Sequence, residues 1–309
     1  MSTSNKTLWL STFLLVCNLN YVPVALADDA NTLRNQYQSL IPQLEHNQFQ
    51  RQLHLDSTES PSTIKGDIYA VVDYPFATVN GSLNNPVHGP DNWCDVLMLH
   101  LNTKYCNVST SDNRPILKMG IGKKINSLMA NVYDLQFNYQ AATSAKDYFQ
   151  VDLNADTGPL STKDYRIVLE AVPIDKNHTF LHMTYSYGYG MAGRLAMKTY
   201  LATIGRGKVG FTTISTDSNA KNKYIGGIRG VVERNTMRYY LAIDAYLKAL
   251  TSAPGKALEL RLIYWFDATE QYPTQLHEIE REEYMQMKQE LILDDIKHKT
   301  DSAHLTSRM

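Results

Sequence analysis

Tyr185 to Ala196 reads YSYGYGMAGRLA, and within it Gly188, Gly190 and Gly193 spell GxGxxG between a strand-like run and a helix-like run. In a dinucleotide-binding fold such glycines turn the chain tightly and bring pyrophosphate to a helix N-terminus. A later strand-like run, KVGFTTIST, ends at Asp217, which would supply the acid that such a site uses on the ribose. The competing reading is structural: glycine lets an antiparallel strand leave its sheet sharply and lets a helix lie close to it.

The strand before the glycines decides between them. A parallel sheet covered on both faces needs continuous apolar strands. LHMTYSY instead alternates, with Leu181, Met183, Tyr185 and Tyr187 on one face and His182, Thr184 and Ser186 on the other, the pattern of a strand with one wet side. The runs before it repeat the pattern: Leu135, Phe137 and Tyr139; Phe149, Val151 and Leu153; Ile167 and Leu169. Connections such as ADTGPLSTKD and DKN join them into a predicted antiparallel meander that also takes in YCNVST and PILKMGIG. The alternating strand and helix units of a nucleotide fold are missing. A second glycine set, Gly205, Gly207 and Gly210, follows a helix and leads into a strand, so it fails as well.

Upstream of the meander, GDIYAVVDYPF reads as a first strand, ATVNGSL as a short helix and DNWCDVLMLHL as a second helix. Asp91 is its expected N-cap, with Trp93, Leu97 and Leu101 on one face. Residues 29–53 read as an exposed helix on Leu33, Tyr37, Leu40 and Leu44, followed by a polar break, DSTESPSTIKG. Downstream, Met197, Tyr200, Leu201 and Ile204 predict a helix over 192–204, and VGFTTIS with YIGGIRGVV predicts a hairpin. A longer helix over 233–252 carries Tyr240, Ile243, Leu247 and Leu250 on one face and stops at SAPG. ALELRLIYWFDAT reads as a further helix and residues 275–298 as a charged, solvated packing arm.

The first residues have one lysine, an apolar run from Leu8 to Val16, and Ala25-Leu26-Ala27 before two aspartates. That is the build of a cleaved secretory signal over residues 1–27, too short in its apolar part to span a bilayer. The expected organisation is therefore a signal (1–27), an N-terminal helix and linker (28–60), one ligand-binding domain (61–252) and a C-terminal helical extension (253–309). An exported location follows, periplasmic in a bacterium and secreted otherwise, with no integral membrane segment after cleavage.

Of 309 residues, 43% are hydrophobic and 20% charged, an ordinary globular composition. Removing the signal takes away Lys6 and no acid, so 30 basic residues become 29 against 31 acidic, a net charge of -2. That balance gives no charge-driven attraction to nucleic acid or to an anionic membrane. It also removes Cys17 and leaves Cys94 and Cys106, an even pair that in an exported chain predicts a disulfide, two buried thiols being the alternative.

No G-x-S-x-G, H-E-x-x-H or Walker sequence occurs. His178 and His182 lie about 13 Å apart along one strand and cannot share a metal. Asp95 and His100 flank Cys94, but a disulfide would consume the nucleophile. Glu233, Arg234 and Arg238 read as a structural ion-pair cluster at a helix start. No catalytic residue, metal site or cofactor is expected.

The order of a strand, two helices, a long antiparallel meander and a closing helix, carried by GDIYAVVDYPF to MLHLN and by YSYGYGMAGRLAMKTYL, resembles the START-like superfamily of lipid-transfer and polyketide-cyclase-type proteins over roughly Ile64 to Leu250. The resemblance implies an α+β helix-grip fold: a curved antiparallel sheet wrapped on a C-terminal helix, with extra C-terminal helices here. Either 192–204 or 233–252 is the gripping helix. It also implies an apolar cavity for a lipid or another hydrophobic small molecule. With strand parity, the expected lining is Phe137, Tyr139, Phe149, Val151, Leu181, Met183, Tyr185 and Tyr187. The alternatives are an enzyme of cyclase or hydrolase type on the same scaffold, which needs His182 or Glu170 to point inward, and a structural protein of the cell envelope.

Overall fold

A computed structural model describes residues 24–122, 132–142, 146–203, 205–216 and 222–306. Residues 1–23, most of the expected signal, and Ile204, the last residue of one expected helix, lie outside the described residues.

The chain opens with α1 (Val24–Glu45), a hairpin of β1 (Leu53–Glu59) and β2 (Thr63–Val72), and two short helices, α2 (Phe76–Leu83) and α3 (Gly89–Leu99). The meander follows as β3 (Thr103–Ser111), β4 (Arg114–Ile121), β5 (Tyr133–Ala142), β6 (Phe149–Thr157), β7 (Thr162–Pro173) and β8 (Thr179–Tyr189). After it come α4 (Met191–Ala202), the small hairpin β9 (Thr213–Thr216) and β10 (Asn222–Tyr224), and α5 (Gly227–Ala249). Three more helices close the chain: α6 (Ala257–Glu270), α7 (Pro273–Leu276) and α8 (Arg281–Thr306).

One sheet holds β1 to β8 in the order β1-β2-β8-β7-β6-β5-β4-β3, every neighbouring pair antiparallel. The decisive pairing is β2 with β8, in which Ile68 lies opposite Met183: the strand before the two helices is sealed against the last strand of the meander. β8 is antiparallel to both of its neighbours, so the glycines after it cannot belong to a dinucleotide-binding crossover. Gly190 is not needed for the turn, because a Cβ there would meet nothing and its φ is not positive, whereas a Cβ at Gly188 would meet Asp164 Oδ2 at 3.1 Å.

Tighter approaches than that at Gly188 lie elsewhere. α5 crosses β2 at Gly66, where a Cβ would overlap Thr236 Oγ1. Gly210 stacks on Gly230 at the start of α5, with Gly210 N–H donating to Ile225 C=O at 2.7 Å. Gly227, at φ +67°, turns the chain out of β10 into the helix. The last part of the run expected to be a strand, YIGGIRGVV, is therefore the first turns of α5, which begins six residues before the expected start at 233.

α5 is the gripping helix, not α4. Val232, Met237, Leu241, Ala242 and Ile243 are wholly buried. The far side of α5 is covered by α6, whose Trp265 Nε1–H donates to Arg238 C=O at 3.1 Å. This accounts for the extra C-terminal helices: without them one face of α5 would be bare.

Other expectations change at the ends. Residues 53–59, expected within a helix and a polar break, form β1, because Leu53, Leu55 and Ser57 alternate inward on the edge of the sheet. α1 is not an exposed helix, since Leu33, Leu40 and Leu44 pack with Tyr148, Val172 and Phe180 on the outer face of the sheet. Asp91 lies in the first turn of α3, and His88 is the N-cap. α8 is solvated only in part: Tyr284, Met287 and Leu291 join the core, and Lys288 Nζ donates to the carbonyls of His100 and Thr103 at 2.7 and 2.8 Å. Cys94 on α3 and Cys106 on β3 form a disulfide, with Cα atoms 5.2 Å apart.

Candidate functional site

The alternation read from the sequence places Phe137, Tyr139, Phe149, Val151, Leu181, Met183, Tyr185 and Tyr187 on the concave face of the sheet, under α5, and all are buried in one core cluster. Their environments differ. Phe149 and Val151 are fully enclosed, and Phe137, Leu181 and Met183 are each 1% exposed. Tyr139 turns its hydroxyl onto Leu83 C=O at 3.2 Å, where it fastens the end of α2, and burial pushes its pKa up to about 12. Tyr185 and Tyr187 belong to a different neighbourhood, where aromatic and polar groups meet.

There Tyr165 stacks on Tyr187 with ring centroids 5.1 Å apart, Tyr185 tilts against Tyr239 of α5 at 5.2 Å, and Tyr239 stacks on His100 at 5.0 Å. Asn235, one turn before Tyr239, lies beside Tyr185 and His100 and is only half-buried, while His100 Nε2 is buried without a hydrogen-bond partner. All of these tyrosines are buried, Tyr165 at 7%, Tyr239 at 6% and Tyr185 at 5% exposure. Burial raises the hydroxyls of Tyr165, Tyr185, Tyr187 and Tyr239, so all four are neutral hydrogen-bonding groups on apolar rings.

His100 is the ionisable group of this cluster. Burial, with the positive charges of Arg238 and Lys288 behind it, lowers its pKa to about 3, so the ring is neutral. Nδ1 accepts from the Asn102 N–H at 3.2 Å, which assigns the proton to Nε2. The sequence pointed to His100 only as a neighbour of Cys94. Tyr165 had a legible signal, since it continues the alternation of Ile167 and Leu169 by one step. Asn235 and Tyr239 had none, because their place depends on how α5 crosses the sheet.

His182 and Glu170 point outward, as parity requires, and so do not meet the condition for the enzyme reading. On the convex face His182 bridges two carboxylates, Nδ1 to Glu170 at 2.9 Å and Nε2 to Asp67 at 3.0 Å, while its ring stacks on Tyr69 at 4.3 Å. Thr184 and Lys65 also bind Asp67, and Tyr148 binds Glu170. Burial alone would raise both carboxyls and lower the imidazole; the mutual bonds overcome it, holding the acids below and His182 above their ordinary ranges.

The cluster Glu233, Arg234 and Arg238 is structural where its partners are defined. The fully buried Glu233 carboxylate accepts from the backbone N–H groups of Phe211 and Thr212 and from the hydroxyls of Ser57 and Thr212, at 2.6 to 2.9 Å, and so fastens the loop before β9 to β1. Arg238 pairs with Glu278 at 2.7 Å beside a small cleft lined by Leu101, Trp265, Phe266 and Leu276. Among the described residues no cluster of histidine, cysteine or carboxylate side chains has the form of a metal site, and no helix is long and apolar enough to cross a membrane.

No protein-family model matches the chain, and no curated protein matches it. Solved structures do. Norcoclaurine synthase from Thalictrum flavum is 10% identical over 48% of this chain and 91% of its own, at a TM-score of 0.33. The architecture itself, an antiparallel sheet wrapped on a long helix, is a helix-grip arrangement. Zhui aromatase/cyclase from Streptomyces is 10% identical over 50% of this chain and 86% of its own, at 0.29, and human StAR-related lipid transfer protein 5 is 8% identical over 58% and 91%, at 0.31. The assignment rests on the pairing of β2 with β8 and on α5 lying across the concave face.

Proposed function

We propose that the protein is an exported carrier of a hydrophobic small molecule, a lipid in the first place, held between the tyrosine end of the concave face and α5. The observation that carries this reading is the convergence of Tyr185, Tyr239, His100 and Asn235 within an otherwise apolar interior. Neutral polar tips on apolar walls suit a ligand with an apolar body and a single polar group: the body supplies affinity at about 25 cal/mol per Å² buried, and the tips supply orientation. Export is supported by the sequence of residues 1–27.

Native mass spectrometry of the protein purified from its own cells, followed by denaturing extraction, tests the reading. A stoichiometric apolar adduct is expected, reduced in Tyr185→Phe with Asn235→Leu, together with an N-terminus at Asp28. A clean apo mass that stays unchanged after incubation with mixed envelope lipids would sink it. The enzyme reading is favoured by one observation, the neutral His100 stacked on Tyr239, which in turn meets Tyr185. It requires that His100→Phe abolish turnover of an extracted ligand while leaving its binding intact.

A further inference from the structure

α4 is apolar on two sides. Met197 and Leu201 face inward and pack against the core, as the helix lies on the turn between β6 and β7, on β8 and on α5. Met191 and Leu195, spaced i and i+4 and therefore adjacent, face outward at 91% and 67% exposure, and Ala202 continues their stripe. Two adjacent large apolar side chains, exposed on a helix already anchored by its other face, form a small apolar contact surface.

The charges beside the stripe indicate its partner. Although the mature chain is slightly acidic overall, no Asp or Glu occurs from Lys176 to Thr216. Within that stretch Lys208 is paired with Glu278 at 2.9 Å, whereas Arg194, Lys198 and Arg206 have no carboxylate partner among the described residues. Arg194 and Lys198, themselves i and i+4, run along one border of the apolar stripe. An outward apolar row edged by unpaired cations matches the layering of an anionic bilayer, acyl chains below and phosphate groups above.

We propose that α4 docks the molecule on an anionic lipid surface, with Met191 and Leu195 entering the acyl boundary and Arg194 and Lys198 meeting headgroup phosphates. The net charge predicts no such attraction; its uneven placement does. The proposal is independent of what occupies the interior.

The test is flotation of the full mature chain with vesicles of phosphatidylcholine alone and of equal parts phosphatidylcholine and phosphatidylglycerol. Binding is expected only to the anionic vesicles and is expected to fall away at about 0.5 M salt, where screening is nearly complete beyond a few ångströms. Each basic residue near such a surface is worth about fivefold, so R194E with K198E should weaken binding at least tenfold. M191S with L195S should abolish retention while keeping the melting temperature, since both side chains are exposed. Equal binding to both vesicle types, absence of binding, or unaltered binding by either double variant would overturn the proposal. So would a concentration-dependent dimer that the serine variant dissolves, which would give the face to a second copy of the chain.

Discussion

His100 and His182 sit on opposite sides of the same sheet and respond to protons in opposite directions. An unfolded histidine titrates near 6.5. Folded His100 refuses the proton down to about pH 3, so acidification below about 6.5 favours the unfolded chain. Folded His182 holds its proton above 6.5, so its contribution is complete below that value and is lost as pH rises through its own raised pKa. Asp67 and Glu170 add stability above about 4 and lose it as pH falls through their lowered values. These four groups alone would place the maximum near pH 6.5, and the buried Lys288 and Lys104, lowered by burial, add stability as pH rises toward their ordinary 10.5 and move the maximum upward. H100Q should flatten the acid side, H182Q should flatten the alkaline side, and unchanged slopes in both would remove these residues as the cause. A second residue-scale prediction concerns Gly66: an alanine there should cost about 1 to 3 kcal/mol by overpacking against Thr236, and T236A, which removes the overlapping hydroxyl, should restore part of the loss in chemical denaturation. The parity of β8 was legible because burial on one face repeats every second residue. The meeting of His100 with Asn235 was not, because the two come from elements far apart in the chain.

At the scale of elements, periodicity identified helices and strands well wherever one face is buried and the other wet. It misread segments buried on a second side by a partner not visible in the local pattern. α1 looked exposed because its apolar residues are few, yet those few meet Phe180 and Val172 on the outer side of the sheet. α8 looked like a solvated arm because it is rich in charge, yet Lys288 is wholly buried, burial lowers its pKa, and its Nζ donates to two carbonyls at the α3–β3 corner. K288M should leave those carbonyls unsatisfied and cost about 2 to 4 kcal/mol in urea denaturation, a loss much larger than for K248M on α5. The disulfide fastens the same corner from the other side. C94A with C106A should lower stability by about 2 to 3 kcal/mol, and a reductant should have the same effect on the native chain and none on the variant.

For the whole molecule, the order of elements was enough to recognise a sheet wrapped on a helix, but not the depth of the layers around that helix. α5 is enclosed by the sheet on one side and by α6 on the other, and α8 in turn packs on α6. A chain ending at Ser252 should therefore expose Trp265's binding site on α5, and analytical ultracentrifugation should find it aggregated or unfolded; a stable monomer of that length would make 61–252 a self-sufficient domain. The sealing of β2 against β8 has a temporal consequence. Hairpins of the meander can form as soon as their own residues are available, and the Cys94–Cys106 link joins near neighbours. Ile68 cannot find Met183 until the whole meander has emerged. A sheet whose seam joins residues so far apart cannot close until that length of chain is available, the ordering that slows folding in topologies built on distant pairings.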